Sequence, residues 1–375
     1  MTASIDPGVE LLADIPIAGV AEDLLARAPV ALRIVELACA EPLAAPRAVG
    51  LVGASGVGKT SILRMVTELL SARGDVAVVT LDAAAHTGAS QLIEALLVHV
   101  TEFFAAAGVV DTTDSIRDRL ARYGGFVADV AKIAGVKVDI AGAMKRSPEA
   151  VRNELIEMTQ EVRKRIVIVI DHVDRFAEKE MAAALEALRH YAAIPYVSIV
   201  VAIDRRAIAR RLSDDDDRDP EVVERLLQVE LAVPPADRVL LARIVAGGLA
   251  RTAARCSRDI DDVLPLFDPD HDGGALGLDL IQTPRDAKRA VNALAAALPL
   301  TDDSYHACLD LLLRLFVPTL DGPRLDARAH VHDPAARRAL LAELESMVGR
   351  HRRAGAARAA LRELFQAVET PAETP

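Results

Sequence analysis

Three groups of residues carry chemistry by their type and spacing. Gly53-Ala54-Ser55-Gly56-Val57-Gly58-Lys59-Thr60 fits G-x-x-x-x-G-K-[ST] between a short apolar run and a helical pattern. Glycines let such a backbone curl so that successive N–H groups face a phosphate at the positive end of the next helix. Lys59 is then expected to neutralise the β/γ oxygens and Thr60 to ligate Mg²⁺, with Ser61 completing the nucleotide-contacting positions. Asp171, at the end of the most apolar run, supplies the second magnesium contact; read otherwise, it is an acidic cap for the element that follows. Asp174 and Arg175 either reach the metal's water shell or a neighbouring subunit's nucleotide, or cap the next helix and pair with each other. Asp204, closing the next apolar run, is placed to sense a γ-phosphate. Arg205, Arg206, Arg210 and Arg211 beside it offer an arginine finger or form a solvated helix face. Thr283-Pro284-Arg285 opens a helix continuing to Lys288, Arg289 and Asn292. Arg285 either reaches the γ-phosphate from a lid or sits on an exposed cationic face.

The elements that must position these residues follow from periodicity. Ala21–Ala40 has helical apolar spacing between prolines, and Ala48–Gly53 reads as a buried strand entering the glycine-rich turn. Helices are expected over Ser61–Ala72 and Ala89–Ala107, and strands over Val76–Asp82, Arg165–Asp171 and Tyr196–Asp204. Continuous apolar runs such as Ile166–Ile170 suit a parallel strand covered on both faces. Strands alternating with helices give an α/β class with a parallel sheet. Residues 108–150 carry weak signals, apart from Ser147-Pro148 as a helix start. Ser213–Pro220 is an acidic loop, and everything beyond it is helical in pattern. The expected organisation is an N-terminal helical segment (1–47), an α/β core (48–212), the acidic loop (213–220), a helical lid (221–300) and a C-terminal helical region (301–375).

Composition narrows the function classes. The chain has 375 residues, 51 % of them hydrophobic but only 3 % aromatic, with no Trp. Its interior is therefore aliphatic, and aromatic platforms for sugars or bases are disfavoured. Net charge is −11, which weighs against nucleic acid as the main partner. Cys39, Cys256 and Cys308 are too dispersed for a CxxC motif, and the N-terminus lacks a signal-peptide pattern, so a cytoplasmic location is expected. No transmembrane segment is expected, because the longest apolar stretches carry charges. Arg350-His351-Arg352-Arg353 with Arg358 and Arg362 is a basic patch, read as a solvated helix face or as a contact for anionic lipid or nucleic acid. The nine histidines show no ligand spacing. No Asn/Thr-Lys-x-Asp guanine-reading motif is present, so ATP is expected over GTP.

Together these blocks resemble the KAP P-loop NTPases. Asp14–Ala38 followed by Gly53–Thr60 looks like the family's opening. Ile166–Arg175 is similar to its Walker B, a hydrophobic run followed by Asp-Asp-Leu-Asp-Arg; Ala182–Leu212, Val222–Pro235 and Thr283–Asn292 follow in family order. The resemblance implies a P-loop parallel sheet of the additional-strand type, ATP and Mg²⁺ as ligands, ATPase activity, and a nucleotide-driven switch or scaffold. That switch would organise a protein assembly through an unidentified protein partner or a homo-oligomer, in antiviral defence. Two departures stand out: the short charged stretch 108–150 replaces the transmembrane insertion of many members, and His172 replaces the second acid of the Asp-Asp pair. Imidazole can accept a proton or orient water; Asp174 or Glu178 are alternatives for that role. An AAA+ or signalling-type ring ATPase that remodels protein or nucleic acid, and a non-hydrolysing nucleotide-binding scaffold, are the competing readings.

Overall fold

The computed structural model describes residues 11–42, 45, 47–106, 156–157, 159–160, 162, 164–212, 222–256, 260–271, 275–297, 304–320, 322–328, 330–331, 333–349 and 351–366. The expectations for 108–150, Ser147-Pro148 and Ser213–Pro220 lie outside them. The chain divides into two compact units, Pro16–Pro234 and Met1–Ile15 with Pro235–Pro375.

The first unit is built on five parallel strands, β1 (Arg47–Val52), β2 (Val76–Asp82), β3 (Arg165–Asp171), β4 (Val197–Ile203) and β5 (Val229–Ala232), in the order β2-β3-β4-β1-β5. β4 thus lies between β1 and β3, which is the expected additional-strand arrangement. Every residue of β3 and β4 is buried, as a strand covered on both faces demands. Side chains alternate between two cores: Ile166, Ile168 and Ile170 enter one, and Val167 and Val169 the other. Helices α1 (Ala28–Ala38) and α2 (Lys59–Ser71) pack in the valine-side core. Helices α3 (Ala89–Ala106) and α4 (Glu178–Tyr191) cover the isoleucine side. Two shorter helices complete the unit, α5 (Arg205–Leu212) and α6 (Val222–Leu226).

Two local expectations are corrected. The helix expected over Ala21–Ala40 begins only at Ala28, because the Asp23 carboxylate captures the backbone N–H groups of Leu25 at 3.2 Å and of Arg27 and Ala28 at 2.6 Å each. With Ala26 left-handed at φ 52°, the chain turns there and leaves Leu24 exposed. The region after residue 220 is not wholly helical either, since it contains β5. That strand is short and borders the sheet, so only its alternation of Val229, Leu231 and Val233 marks it.

The second unit is helical: α7 (Arg238–Cys256), α8 (Leu276–Asp279), α9 (Pro284–Ala297), α10 (Ser304–Phe316), α11 (Gly322–Ala327), α12 (Pro334–Val348) and α13 (Ala354–Gln366). One aliphatic core runs from Leu241 to Phe365 and so spans both sides of residue 300. The start of α9 is fixed by a reciprocal cap: Thr283 Oγ1 accepts from Asp286 N at 3.1 Å, and Asp286 Oδ2 accepts from Thr283 N at 3.0 Å. Arg353 reaches the same carboxylate at 2.6 Å and also donates to Leu280 O at 2.7 Å. Both side chains are almost fully buried, at 3 % and 6 % exposure. Arg353 is therefore not part of a solvated face, contrary to the reading of the 350–353 run. Removing one member of a buried pair strands the other charge, so Arg353→Met is expected to destabilise the helical unit by about 3–5 kcal/mol. A urea titration followed by circular dichroism measures this, and an unchanged transition would contradict it.

Candidate active site

The phosphate-type loop leaves β1 and enters α2 through two left-handed glycines, Gly56 at φ 83° and Gly58 at φ 101°. Gly58 is the N-cap of α2, so the free N–H groups of the helix start open onto the loop. Gly53 N donates to Ile203 O at 3.1 Å, which anchors the loop to β4 where the strands end. Ala54 and Ser55 are exposed, Val57 partly buried. Lys59 Nζ donates to Gly53 O at 2.7 Å and to Ala54 O at 3.3 Å, and lies 4.0 Å from Asp174 Oδ2. The lysine thus folds over the loop that it would serve. Thr60 and Ser61 follow on the first turn of α2, both partly buried.

The acids come from the carboxyl ends of the strands. Asp82 and Asp171 are register partners at the ends of β2 and β3, so the parallel ladder itself puts the two carboxylates side by side. Asp171 is 8 % exposed; its Oδ1 accepts from His172 N at 2.8 Å, and its Oδ2 is buried with no hydrogen-bond partner. His172 stands at φ 62°, ψ 22°, a left-handed conformation that histidine tolerates better than most residues. Its Nδ1 is 2.8 Å from Asp82 Oδ1 and its Nε2 is 3.7 Å from Asp171 Oδ2. An ionised carboxylate only accepts, so Nδ1 carries the proton toward Asp82, and in the neutral ring Nε2 keeps its lone pair; this tautomer is assigned from the hydrogen-bond network. A lone pair beside an unpartnered carboxylate oxygen is unfavourable until a proton, water or cation enters between them. Asp171 and the Thr60 hydroxyl carry hard oxygen donors of the kind Mg²⁺ takes, and Asp171 Oδ2 accepts no hydrogen bond, although among the described residues no three His, Cys, Asp or Glu side chains cluster as a metal site.

Other expected site residues have partners of their own. Asp204 Oδ1 accepts from Arg206 N at 3.0 Å and Ala207 N at 3.1 Å, capping α5. Arg205 pairs with Glu230, donating through Nε at 2.8 Å, and reaches Glu224 at 3.7 Å, so it serves β5 and α6. In the helical unit Arg285 pairs with Asp14 at 2.8 Å, and Lys288 and Asn292 bind the backbone of residues 12–15. The cationic face expected on α9 is thus occupied by the chain's own N-terminal residues. Two residues of the site escaped the motifs. Asp82 carried the same signal as Asp171, a strand-ending aspartate. Arg27, whose buried guanidinium donates to Val57 O in the loop and to Pro234 O at 3.0 Å, carried none.

A family model described as the KAP family P-loop domain matches residues 27–300. The chain belongs to this family. In this KAP domain the glycine loop, Asp171 and α9 all fall inside the matched span. No curated protein matches the sequence. Among solved structures the chain is similar to the ORC1 protein of Aeropyrum pernix in complex with DNA, at 17 % identity over 93 % of this chain and 80 % of that one, TM-score 0.40. Cdc6p of Pyrobaculum aerophilum is similar at 12 % identity over 94 % and 83 %, TM-score 0.42. The Aeropyrum pernix ORC2 protein with ADPNP and ADP is similar at 13 % over 92 % and 94 %, TM-score 0.38. At these scores the likenesses carry no conclusion about ligand or partner. Among the described residues, no helix of the KAP domain or beyond it is long and apolar enough to cross a membrane.

A methyl group at Gly58 would meet a left-handed backbone and lie 2.6 Å from Arg27 Nη1. Gly58→Ala is therefore expected to cost about 1–3 kcal/mol at the loop and to weaken binding of a fluorescent ATP analogue more than tenfold, roughly the factor that 1.4 kcal/mol represents. Unchanged affinity in a titration would show that the loop backbone does not hold phosphate.

Proposed function

We propose that this KAP domain binds Mg²⁺-ATP at Gly53–Ser61 and hydrolyses it, using the bound and hydrolysed states as a switch for a protein assembly. The observation that carries the reading is the buried, unpartnered Asp171 Oδ2 beside His172 Nε2, in a chain whose glycine loop and family are those of a P-loop NTPase. Backbone N–H groups of the loop and Lys59 bind the phosphates; to do so, Lys59 gives up its bonds to Gly53 O and Ala54 O. Thr60 and Asp171 would hold Mg²⁺, which when bound neutralises phosphate charge. His172 takes the place of the family's second acid. Asp82, donated to by Nδ1, keeps the Nε2 lone pair free, so Nε2 can accept the proton of the attacking water. The acceptor end is thereby set by a hydrogen bond to a residue of a different strand, the same division of labour as a base and its orienting carboxylate. Asp204 belongs to the proposal as a residue that answers to the γ-phosphate from the end of β4.

The reading that His172 leaves the protein a non-hydrolysing scaffold predicts tight ATP binding without turnover. Steady-state phosphate release separates the two. Lys59→Ala is expected to abolish release, and His172→Ala to lower it about 10²–10⁴-fold, the usual contribution of a positioned base. Asp82→Asn should lower it less while His172→Asp retains it. Wild-type ATP binding with no release above the Lys59→Ala background would refute hydrolysis and support the scaffold.

A further inference from the structure

Arg27 ties the phosphate loop to the place where the chain leaves the sheet unit. The unit ends at Pro234, and Arg27 donates through one nitrogen to Val57 O, inside the loop, and through the other to Pro234 O at 3.0 Å. Its backbone is anchored by Asp23, which accepts from the Arg27 N–H at 2.6 Å and so sets the start of α1. The residue is only 4 % exposed. Burial pushes the guanidinium below its ordinary pKa, with the nearby Asp23 charge acting in the opposite direction. A planar fork with donors on separate nitrogens can serve two carbonyls that face it from different segments in one fixed geometry, whereas an ammonium offers its donors from a single atom. The absence of a Cβ at Gly58 gives the fork its seat, since a Cβ there would lie 2.6 Å from Nη1. Just before Pro234 the chain is also fastened to the root of the loop, as Val233 N donates to Val52 O at 2.8 Å. The other crossing is tied to the loop's helix: Arg64 of α2 donates to Pro16 O at 3.1 Å.

We propose that Arg27 is a positioning residue that couples the phosphate loop to the linker at Pro234, so that nucleotide in the loop tightens the linker. The inference rests on nucleotide binding at Gly53–Ser61. Phosphate bound by the loop N–H groups fixes the Val57 carbonyl in the orientation that Arg27 already grips. The same guanidinium then holds Pro234 O, and the segment Leu231–Val233 opens less often. A ligand moves such an equilibrium only through contacts that differ between its states, and here the differing contact is the Arg27 fork.

The test is hydrogen–deuterium exchange of the full chain with and without saturating Mg²⁺-ATP, reading α2 and Leu231–Val233 in the same sample. In the wild type both segments are expected to slow, Leu231–Val233 by about tenfold, a scale typical of local opening. In Arg27→Gln at saturating nucleotide, α2 should still slow while Leu231–Val233 does not. Arg27→Lys, which keeps the charge but not the fork, should give an intermediate slowing and stands in if the Gln variant does not fold. A full linker response in Arg27→Gln, or one equal to wild type in Arg27→Lys, would overturn the proposal. So would a wild type that slows at α2 alone. Slowing at neither segment would instead show that the loop takes no nucleotide, and would remove the functional reading together with this one.

Discussion

The parallel register of β2 and β3 is the constraint from which the site follows. Pairing runs from Val76 opposite Arg165 to Asp82 opposite Asp171, and a shift of one residue would send every isoleucine of β3 into the valine-side core. Because Ile166, Ile168 and Ile170 fill one core and Val167 and Val169 the other, the register is fixed by packing on both faces. Two aspartates therefore end together, and His172, turned left-handed immediately beyond, falls between them. Insertion of β4 between β1 and β3 separates the glycine loop from Asp171 by one strand.

That edge concentrates negative charge with few internal partners. Asp82 and Asp171 face His172, Asp174 faces Lys59 at 4.0 Å, and Oδ2 of Asp171 accepts no hydrogen bond. A buried acceptor left unpaired costs about 1–3 kcal/mol, a cost that a water, proton or cation at that oxygen would relieve. Lys59 shows the complementary state: its donors are occupied by loop carbonyls, weak acceptors that phosphate oxygens readily displace because charged acceptors make the stronger bonds. The net charge of −11 does not oppose this, since recognition works through local donors. In the helical unit the buried Asp286 Oδ2 accepts from Gln282 N, Thr283 N and Arg353. Its core is structural, while the sheet edge is left incomplete.

Much of this was readable from residue order. The runs Val76–Asp82 and Arg165–Asp171 coincide with β2 and β3 because each is an apolar run that ends where an acid appears, although only β3 is buried throughout. The glycine loop declared itself because no other residue pattern curls a backbone so tightly. What could not be read were pairings set by the fold. His172 meets a residue ninety positions earlier, and Arg353, inside what looks like a solvated basic run, is buried against Asp286 on another helix. Arg27 sits in an ordinary helical pattern, and only the geometry of the loop gives it a role. β5 was hidden by its brevity and by its place at the sheet's border, where the apolar alternation covers one face only. The start of α1 was hidden because Asp23 overrides a helical apolar pattern with local hydrogen bonds.

The central claim is that the orphaned Asp171 oxygen belongs to a magnesium–nucleotide site. Calorimetric titration of ATP into wild type and Asp171→Asn, each with and without Mg²⁺, tests it most directly. The account predicts that Mg²⁺ tightens ATP binding to the wild type and that this gain is lost in Asp171→Asn, while the metal-free affinity survives. An equal gain from Mg²⁺ in both proteins would contradict it.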